Sequence, residues 1–370
     1  MGRTRPVTVL AGPNGCGKTS VLYAIVQALR GAMRVRIPDV PQPGEGDIHR
    51  AEPSGRRPVT ATVEIELSYE EAELDAIEKV FEKTRTLREN IGKAALHPPR
   101  PPDNRLAVLW QYPPRVLQDG SVAPTSDLRS TPGAGVVWLG GPSSAWRGWK
   151  NRLLQSVTEM YPIGMLRVFP QDRDRRWGID VDDSGDDADA GDRSVTPLGP
   201  RNGPTEEPTV AEALRRLGEW AHGQGLQERD DRRRWESQLQ ERFKRICGPK
   251  EYLGYWLDHP RYGETPLLVD SGREYPFRSA ASGELVILHY LTKFTFPRPV
   301  HNSLILIDEP ELHLHPRWIR QLYRALPVMG DNNQFIMTTH SPELRQLAAE
   351  DNAVIDLGDL AEPLGSAVRA

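Results

Sequence analysis

The sequence has few cysteines and no long apolar run, and these absences exclude several classes of protein. Its two cysteines, Cys16 and Cys247, provide neither a disulfide framework nor a C-x-x-C metal pair, which predicts a reducing compartment. No stretch approaches the roughly 18 apolar residues that a membrane span requires. The first residues, MGRTRPV, lack the apolar segment of a signal peptide. We therefore expect a cytoplasmic protein with no membrane partner.

Charge of either sign is also not in large excess. The formal net charge is −4 over 370 residues, so charge alone neither requires nor excludes a nucleic-acid partner. The acidic residues are concentrated in DVDDSGDDADAGDR at residues 180–193, and a Pro/Gly-rich stretch follows. Because such a segment has too little apolar surface to fold by itself, we predict a mobile, disordered insertion at residues 180–208.

The clearest motif lies near the start, where GPNGCGKT at residues 12–19 matches G-x-x-x-x-G-K-[ST]. An apolar strand precedes it and an amphipathic helix follows it, so we disfavour the alternative of a glycine-rich turn without a ligand. Backbone N–H groups of such a loop surround phosphates, the lysine contacts the β/γ-oxygens and the threonine hydroxyl binds Mg²⁺. The predicted ATP contacts are Gly12, Pro13, Asn14, Gly15, Cys16, Gly17, Lys18, Thr19 and Ser20.

Two consecutive acids follow a buried strand in SLILIDEPELHLHP. The apolar run at residues 304–307 is typical of a parallel strand that is buried on both faces. In a sheet that also carries a phosphate loop, we expect Asp308 to bind Mg²⁺ opposite Thr19 and Glu309 to polarise the attacking water. The alternative is that the acidic pair only ends the strand.

A histidine follows a further apolar strand, FIMTT at residues 335–339. Because the carboxyl ends of parallel strands meet at one edge of a sheet, we expect His340 to lie near the acidic pair. From there it could hydrogen-bond the γ-phosphate or the water, which makes it a third catalytic candidate beside Glu309 and Lys18. The alternative is an ordinary core or surface histidine.

Strands that alternate with helices predict an α/β P-loop NTPase fold with a mainly parallel sheet flanked by helices. We expect one ATPase domain in two sequence lobes, residues 1–179 and 265–370, with a helical arm at 209–264. Weaker patterns predict a strand at 59–67, a hairpin at 106–122, a strand at 135–141 and a helix at 145–160.

The motifs GPNGCGKT, SGE, LILIDEPELHLHP and TTHSPEL, in this order, resemble the ABC-type ATPase heads of the SMC, RecF and OLD families. They resemble in particular the stand-alone bacterial AAA family ATPases of DNA repair and antiphage defence. The resemblance covers residues 7–31 and about 265–357. It implies an ABC-ATPase-like fold and a homodimer or larger assembly in which two heads enclose two ATP molecules. It also implies action with DNA or RNA, or with a separately encoded nuclease.

The resemblance extends to a signature segment and to a glutamine. Ser282, Gly283 and Glu284 match the end of the signature that closes over the ATP of the other subunit. Ala280 and Ala281 stand where leucine and a phosphate-contacting serine are expected, and we predict that Ser282, as the cap of the following helix, or Ser279 substitutes. The glutamine that binds Mg²⁺ and water in the family matches Gln171, with Gln111 as the alternative.

These patterns together predict a Mg²⁺-dependent ATPase whose dimerisation is driven by nucleotide. Two alternatives remain open at this point. The first is an ATP-gated scaffold that restrains a partner without hydrolysis, which the alanines of the signature favour. The second is the nucleotide-binding subunit of a transporter, which the absence of L-S-G-G-Q and the charged arm disfavour.

Overall fold

The computed structural model describes residues 6–33, 61–89, 100–112, 126–128, 166–169, 210–222, 226–295 and 300–358. The predictions that lie outside these ranges are the insertion at 180–208, the strand at 135–141, the helix at 145–160 and Gln171. The described residues belong to two compact units. The first comprises Met1–Gln171, Arg298–Glu311 and Tyr323–Ala370, and the second comprises Asp172–Pro297 and Leu312–Leu322.

A five-stranded parallel sheet forms the centre of the first unit. Its strands are β1 (Val7–Ala11), β5 (Leu166–Phe169), β9 (Leu304–Ile307), β10 (Gln334–Thr339) and β11 (Val354–Asp356). Their order is β11-β1-β10-β9-β5, and every neighbouring pair is parallel. The continuous apolar runs of these strands fit a sheet buried on both faces. The predicted α/β fold with a mainly parallel sheet is confirmed, and β10 lies between the strand of the phosphate loop and the strand of the acidic pair.

The helix that follows the phosphate loop packs into the core of the first unit. Helix α1 (Lys18–Met33) follows β1 directly, and its side chains at spacings of three and four form one apolar stripe. The stripe joins a buried cluster with residues from the central sheet and from the strand at 105–112. The buried members of this cluster include Leu10, Val26, Ala28, Leu106, Val108 and Leu306. This packing fixes the helix whose first turn begins at Lys18.

A second, antiparallel sheet of the first unit consists of β2 (Ala61–Ser68), β3 (Arg105–Tyr112) and β4 (Ser126–Leu128), in that order. Helix α2 (Glu71–Glu89) connects β2 to β3 in sequence. The predicted hairpin is confirmed in that β3 and β4 pair antiparallel. The described return strand lies at 126–128, beyond the predicted bounds of 106–122, and residues 113–125 are outside the described ranges.

The second unit contains the predicted helical arm, as helices α3 (Val210–His222) and α4 (Leu226–Cys247). The arm is shorter than predicted, because residues after 250 form an antiparallel sheet of β6 (Glu251–His259), β7 (Gly263–Asp270) and β8 (Arg273–Pro276). Gly254 has a φ of 110° and lies at a shift in the β6–β7 register. This irregularity interrupts the alternation of apolar and polar residues, so the sequence pattern did not predict β6.

Three more helices complete the described chain: α5 (Ser282–Thr295), α6 (Pro316–Ala325) and α7 (Pro342–Glu350). Helix α5 carries the signature motif, and α7 follows the turn that contains His340. Among the helices of the described ranges, none combines the length and the apolar character that crossing a membrane would require.

Candidate nucleotide-binding and hydrolysis site

The phosphate loop places its glycines where other residues would be strained. Gly12, Gly15 and Gly17 have φ angles of 150°, 79° and 95°, in the region that glycine tolerates best. A Cβ atom on Gly12 would also lie 2.7 Å from the Cys16 sulfur. The glycine positions of the motif are therefore demanded by backbone conformation, and at Gly12 by packing as well.

Lys18 lies at the centre of the site. Its side chain is 4% exposed, and Nζ donates hydrogen bonds of 2.9 Å to the carbonyl oxygens of Gly12 and Pro13. The same nitrogen lies 3.3 Å from Nδ1 of His340. Because a lysine ammonium can only donate, Nδ1 must accept, and the proton of a neutral His340 ring is on Nε2. That Nε2–H faces Oε1 of Glu309 at 3.2 Å.

The two predicted Mg²⁺ ligands of the phosphate loop and the acidic pair lie together. The Thr19 hydroxyl donates to Oδ1 of Asp308 at 3.0 Å, and the hydroxyl of Thr338 donates to the same oxygen at 2.5 Å. Oxygen donors of this kind are what Mg²⁺ prefers, with phosphates and water completing its shell. Within the described ranges, no group of three or more His, Cys, Asp or Glu could hold a metal. The oxygen pair of Thr19 and Asp308 fits a magnesium ion that is bound together with a nucleotide.

Glu309 is held in an unusual conformation beside this pair. Its φ is 48°, its side chain is 12% exposed, and its N–H donates to the Thr338 hydroxyl at 3.0 Å. Burial raises the pKa of the Glu309 carboxyl, and His340 opposes that shift. The charges of Glu311 and Asp308 raise the pKa further. A carboxylate with a raised pKa is a stronger base, as proton abstraction from water requires.

Two residues of this arrangement were missed by the sequence analysis. The Thr338 hydroxyl joins the acidic pair, since it donates to Asp308 and accepts from Glu309. Glu311 accepts three hydrogen bonds from the turn that contains His340. The sequence signals were the two threonines before the histidine and the third acid of DEPE. Their meaning depends on β10 lying beside β9, which the order of motifs along the chain does not reveal.

The signature residues belong to the second unit. Helix α5 begins at Ser282, so Ala281 occupies the N-cap position, and its carbonyl accepts from the N–H groups of Glu284 and Leu285 at 2.9 and 3.1 Å. The prediction that Ser282 caps this helix is therefore wrong. Alanine has no side-chain acceptor for an N-terminal N–H, but Oε2 of Glu284 accepts from the Ala281 N–H at 2.7 Å. Half of a capping box is thus present.

Glu284 is 1% exposed and its carboxylate is used within its own unit. Oε1 accepts from Lys250 and, at 2.9 Å, from the hydroxyl of Tyr275. Burial lowers the pKa of Lys250, but the hydrogen bonds and charges of Glu284 and Asp270 together raise it, and the net shift is upward. The pKa of the Tyr275 hydroxyl is raised, mainly by burial and secondly by its hydrogen bond to Glu284. Through these contacts Glu284 links the turn at Ala281 to Lys250 and Tyr275.

Gly283 permits a close approach within the second unit. A Cβ on Gly283 would lie 2.7 Å from the carbonyl oxygen of His313 and 3.0 Å from the Trp318 ring. We expect Gly283→Ala to lower the free energy of unfolding by about 1–3 kcal/mol, because the added methyl overpacks this contact. Urea denaturation measures the change. Ser282→Ala, the adjacent exposed position, is the control, with an expected change within about 0.5 kcal/mol. Equal stability of the two variants would contradict the packing.

The structure thus gathers most predicted catalytic and metal-binding residues in the first unit: Lys18, Thr19, Asp308, Glu309 and His340. Gln171 lies outside the described residues, although β5 ends at Phe169, whose carbonyl accepts from the Asp308 N–H at 2.9 Å. Gln111 belongs to β3, in the antiparallel sheet.

Comparisons with curated proteins find relatives over short segments. A protein named "Retron Vc95 probable ATPase" from Vibrio cholerae serotype O1 biovar El Tor is 28% identical over 100 residues, which is 23% of this chain and 20% of the relative. "Septu protein PtuA" from Bacillus thuringiensis is 45% identical over 58 residues, 16% of this chain and 14% of that protein. The matched segments therefore span a fifth or less of these relatives.

Among solved structures, an SMC head bound to the C-terminal winged-helix domain of ScpA aligns with 95% of this chain and 87% of its own. The TM-score is 0.46 and the sequence identity is 15%. Family profiles match two parts of the chain. A family described as "AAA domain" matches residues 4–100, and one described as "AAA domain, putative AbiEii toxin, Type IV TA system" matches residues 123–345. Since the latter match spans more than half of the sequence, the chain belongs to this AAA-domain family.

Proposed function

We propose that this protein binds ATP with Mg²⁺ and hydrolyses it. The observation that carries the proposal is the line of contacts from Lys18 through His340 to Glu309, beside the Thr19–Asp308 pair. A phosphate-binding lysine, an oxygen pair for a metal and a carboxylate of raised pKa are the parts that phosphoryl transfer to water requires. AAA-domain membership supports the same activity.

Each residue has a distinct role in the proposed reaction. The loop amides and Lys18 bind the β- and γ-phosphates, and Thr19 and Asp308 hold Mg²⁺, with Gln171 as a further ligand. When bound, the metal neutralises charge that develops on the phosphate oxygens. Glu309 accepts a proton from the attacking water, and the Nε2–H of His340 keeps the carboxylate oriented. The contact of His340 with Lys18 brings the orienting group to the γ-phosphate end of the loop.

We further propose that two copies pair around ATP, with the signature of each copy closing the site of the other. Ser282 and Gly283 then lie at the nucleotide while Glu284 holds their turn in place. The motif resemblance supports this arrangement. The resemblance also supports action with DNA, RNA or a separately encoded nuclease, in repair or antiphage defence, and we propose that the protein is cytoplasmic. The names of the retron ATPase and the Septu protein agree with the defence class.

A second candidate function is an ATP-gated scaffold that restrains a partner without turnover. The observation that favours it is Ala281 at the N-cap of α5, where the relatives' phosphate-contacting serine is expected. A pair of heads closed over ATP with a weakened signature contact would hold its nucleotide but hydrolyse it slowly. The two functions differ in the rate of phosphate release and agree in ATP binding.

Steady-state phosphate release and solution mass together test the proposed function. We expect Mg²⁺-dependent phosphate release from ATP that chelation by EDTA abolishes, and a rise in mass from monomer toward dimer on adding ATP. Light scattering measures the mass, and duplex DNA added to the assay tests coupling to nucleic acid. ATP binding without phosphate release in any of these conditions would favour the scaffold. Release that persists in EDTA would contradict the assigned site.

A further inference from the structure

Three hydrogen bonds from the turn that carries His340 meet at one oxygen atom of Glu311, and the Ser341 N–H also donates to the Thr339 hydroxyl at 2.9 Å. Oε1 of Glu311 accepts from the Thr339 hydroxyl at 2.7 Å, from the His340 N–H at 2.7 Å and from the Ser341 N–H at 3.0 Å. Oε2 of the same carboxylate is buried and accepts no hydrogen bond from the residues that the structure describes. Three hydrogen bonds that meet at one acceptor oxygen fix the position of the turn relative to Glu311.

Glu311 follows the acidic pair by two residues and belongs to the same compact unit as the turn. It therefore joins the segment after β9 to the segment after β10. The His340 ring must reach Lys18 with Nδ1 and Glu309 with Nε2, at 3.3 and 3.2 Å. Both distances depend on where the backbone of His340 lies. Glu311 holds that backbone by accepting a hydrogen bond from the His340 N–H.

We propose that Glu311 is a positioning residue for hydrolysis, which places His340 between Lys18 and Glu309 by holding the turn with a single carboxylate oxygen. The inference rests on the proposed ATPase function and adds to it a residue that need not touch the nucleotide. It requires the reach and the acceptor oxygen of the side chain. It does not require the negative charge, because none of the three donors that Glu311 accepts from is a charged group.

Two conservative variants separate reach from charge. Glu311→Gln keeps an acceptor oxygen at the same distance from the backbone and removes the charge. Glu311→Asp keeps the charge and withdraws the carboxylate by one methylene, so it cannot serve all three donors. We expect Glu311→Asp to lower kcat about 10- to 100-fold with the KM for ATP within about threefold of wild type. We expect Glu311→Gln to recover most of the lost kcat.

A double-mutant cycle identifies the residue through which Glu311 acts. In a His340→Ala background, we expect Glu311→Asp to lower kcat by no more than about threefold further, because the ring that it positions is already absent. Glu350→Gln, a charge-removing change at an exposed site of the same unit, is the control for general charge effects. Full additivity of the two changes, or a Gln variant as slow as the Asp variant, overturns the proposal.

Hydrogen–deuterium exchange over residues 339–341 provides a readout that does not need turnover. We expect faster amide exchange in Glu311→Asp than in wild type, with Glu311→Gln close to wild type, since exchange reports opening of the bonded amides. If wild type releases no phosphate, the proposed function fails while this exchange pattern still shows the bracing. Equal exchange in all three proteins overturns the positioning role whatever the ATPase result.

Discussion

Lys18→Ala is expected to lose measurable ATP binding. The variant removes the buried ammonium that donates to the loop carbonyls and lies beside His340. A hydrogen bond to a charged group contributes about 1.5–3 kcal/mol, and a lysine that meets two phosphates makes more than one. The dissociation constant should therefore rise at least about 10- to 100-fold. Calorimetric titration with ATP and Mg²⁺ measures it.

Lys244→Ala is the matched control, because it removes the same charge from a side chain that is 62% exposed and pairs with Glu251 on the surface. Surface pairs of this kind contribute little, so ATP affinity and stability should stay near wild type. Unfolding of Lys18→Ala should be measured beside binding, since the variant also frees the carbonyls of Gly12 and Pro13. ATP affinity equal in Lys18→Ala and Lys244→Ala would refute the role of the loop.

Glu309→Gln is expected to bind ATP normally and to lose turnover. Glutamine keeps the size of the side chain and an oxygen that can accept from His340, but an amide cannot take a proton from water. General-base catalysis contributes about 10²- to 10⁴-fold, so kcat should fall by that factor. Because closed pairs would then not be released by hydrolysis, the dimer should accumulate in ATP. Phosphate release and light scattering on the same samples measure both effects.

The control for Glu309→Gln is Glu350→Gln at the exposed end of α7, where the same chemical change should leave kcat and mass unaltered. Near-wild-type phosphate release by Glu309→Gln would contradict the assignment of Glu309 as the general base. Loss of ATP binding in the variant would indicate instead that the carboxylate contributes to ground-state binding, in which case KM would rise while kcat at saturating ATP stayed near wild type.

The central sheet could be predicted from sequence because its strands are buried on both faces. Continuous apolar runs such as LILI at Leu304–Ile307 give a signal that does not depend on partners. Strand β6 could not be predicted in the same way. Gly254 lies at a shift in its register with β7, and the Tyr255 N–H donates to the Glu236 carboxylate of helix α4. A strand with a continuous apolar run can be predicted from its own sequence, whereas a strand with an interrupted apolar pattern, such as β6, cannot.

The residues of the candidate site also fall into a group that the sequence predicts and a group that it does not. Lys18, Asp308 and Glu309 could be named in advance, because each belongs to a motif whose residue types follow from its chemistry. Thr338 and Glu311 act on residues from other segments, through a strand order that only the folded sheet contains. From the sequence, the N-cap of α5 is predicted at Ser282, because serine is a preferred residue type at this position. The structure places the N-cap one residue earlier, at Ala281.

The pairing of β1 has a consequence for how this protein is made. Its two neighbours are β10 and β11, with Val7 opposite Phe335 and Val9 opposite Val354. A ribosome therefore synthesises β1 and the phosphate loop long before the two strands that flank β1. Contacts so distant in sequence form slowly, because the intervening chain must be ordered before they are made. The nascent protein thus lacks a complete nucleotide site until β10 and β11 have been synthesised, and fragments that stop before β10 lack the strands that flank β1.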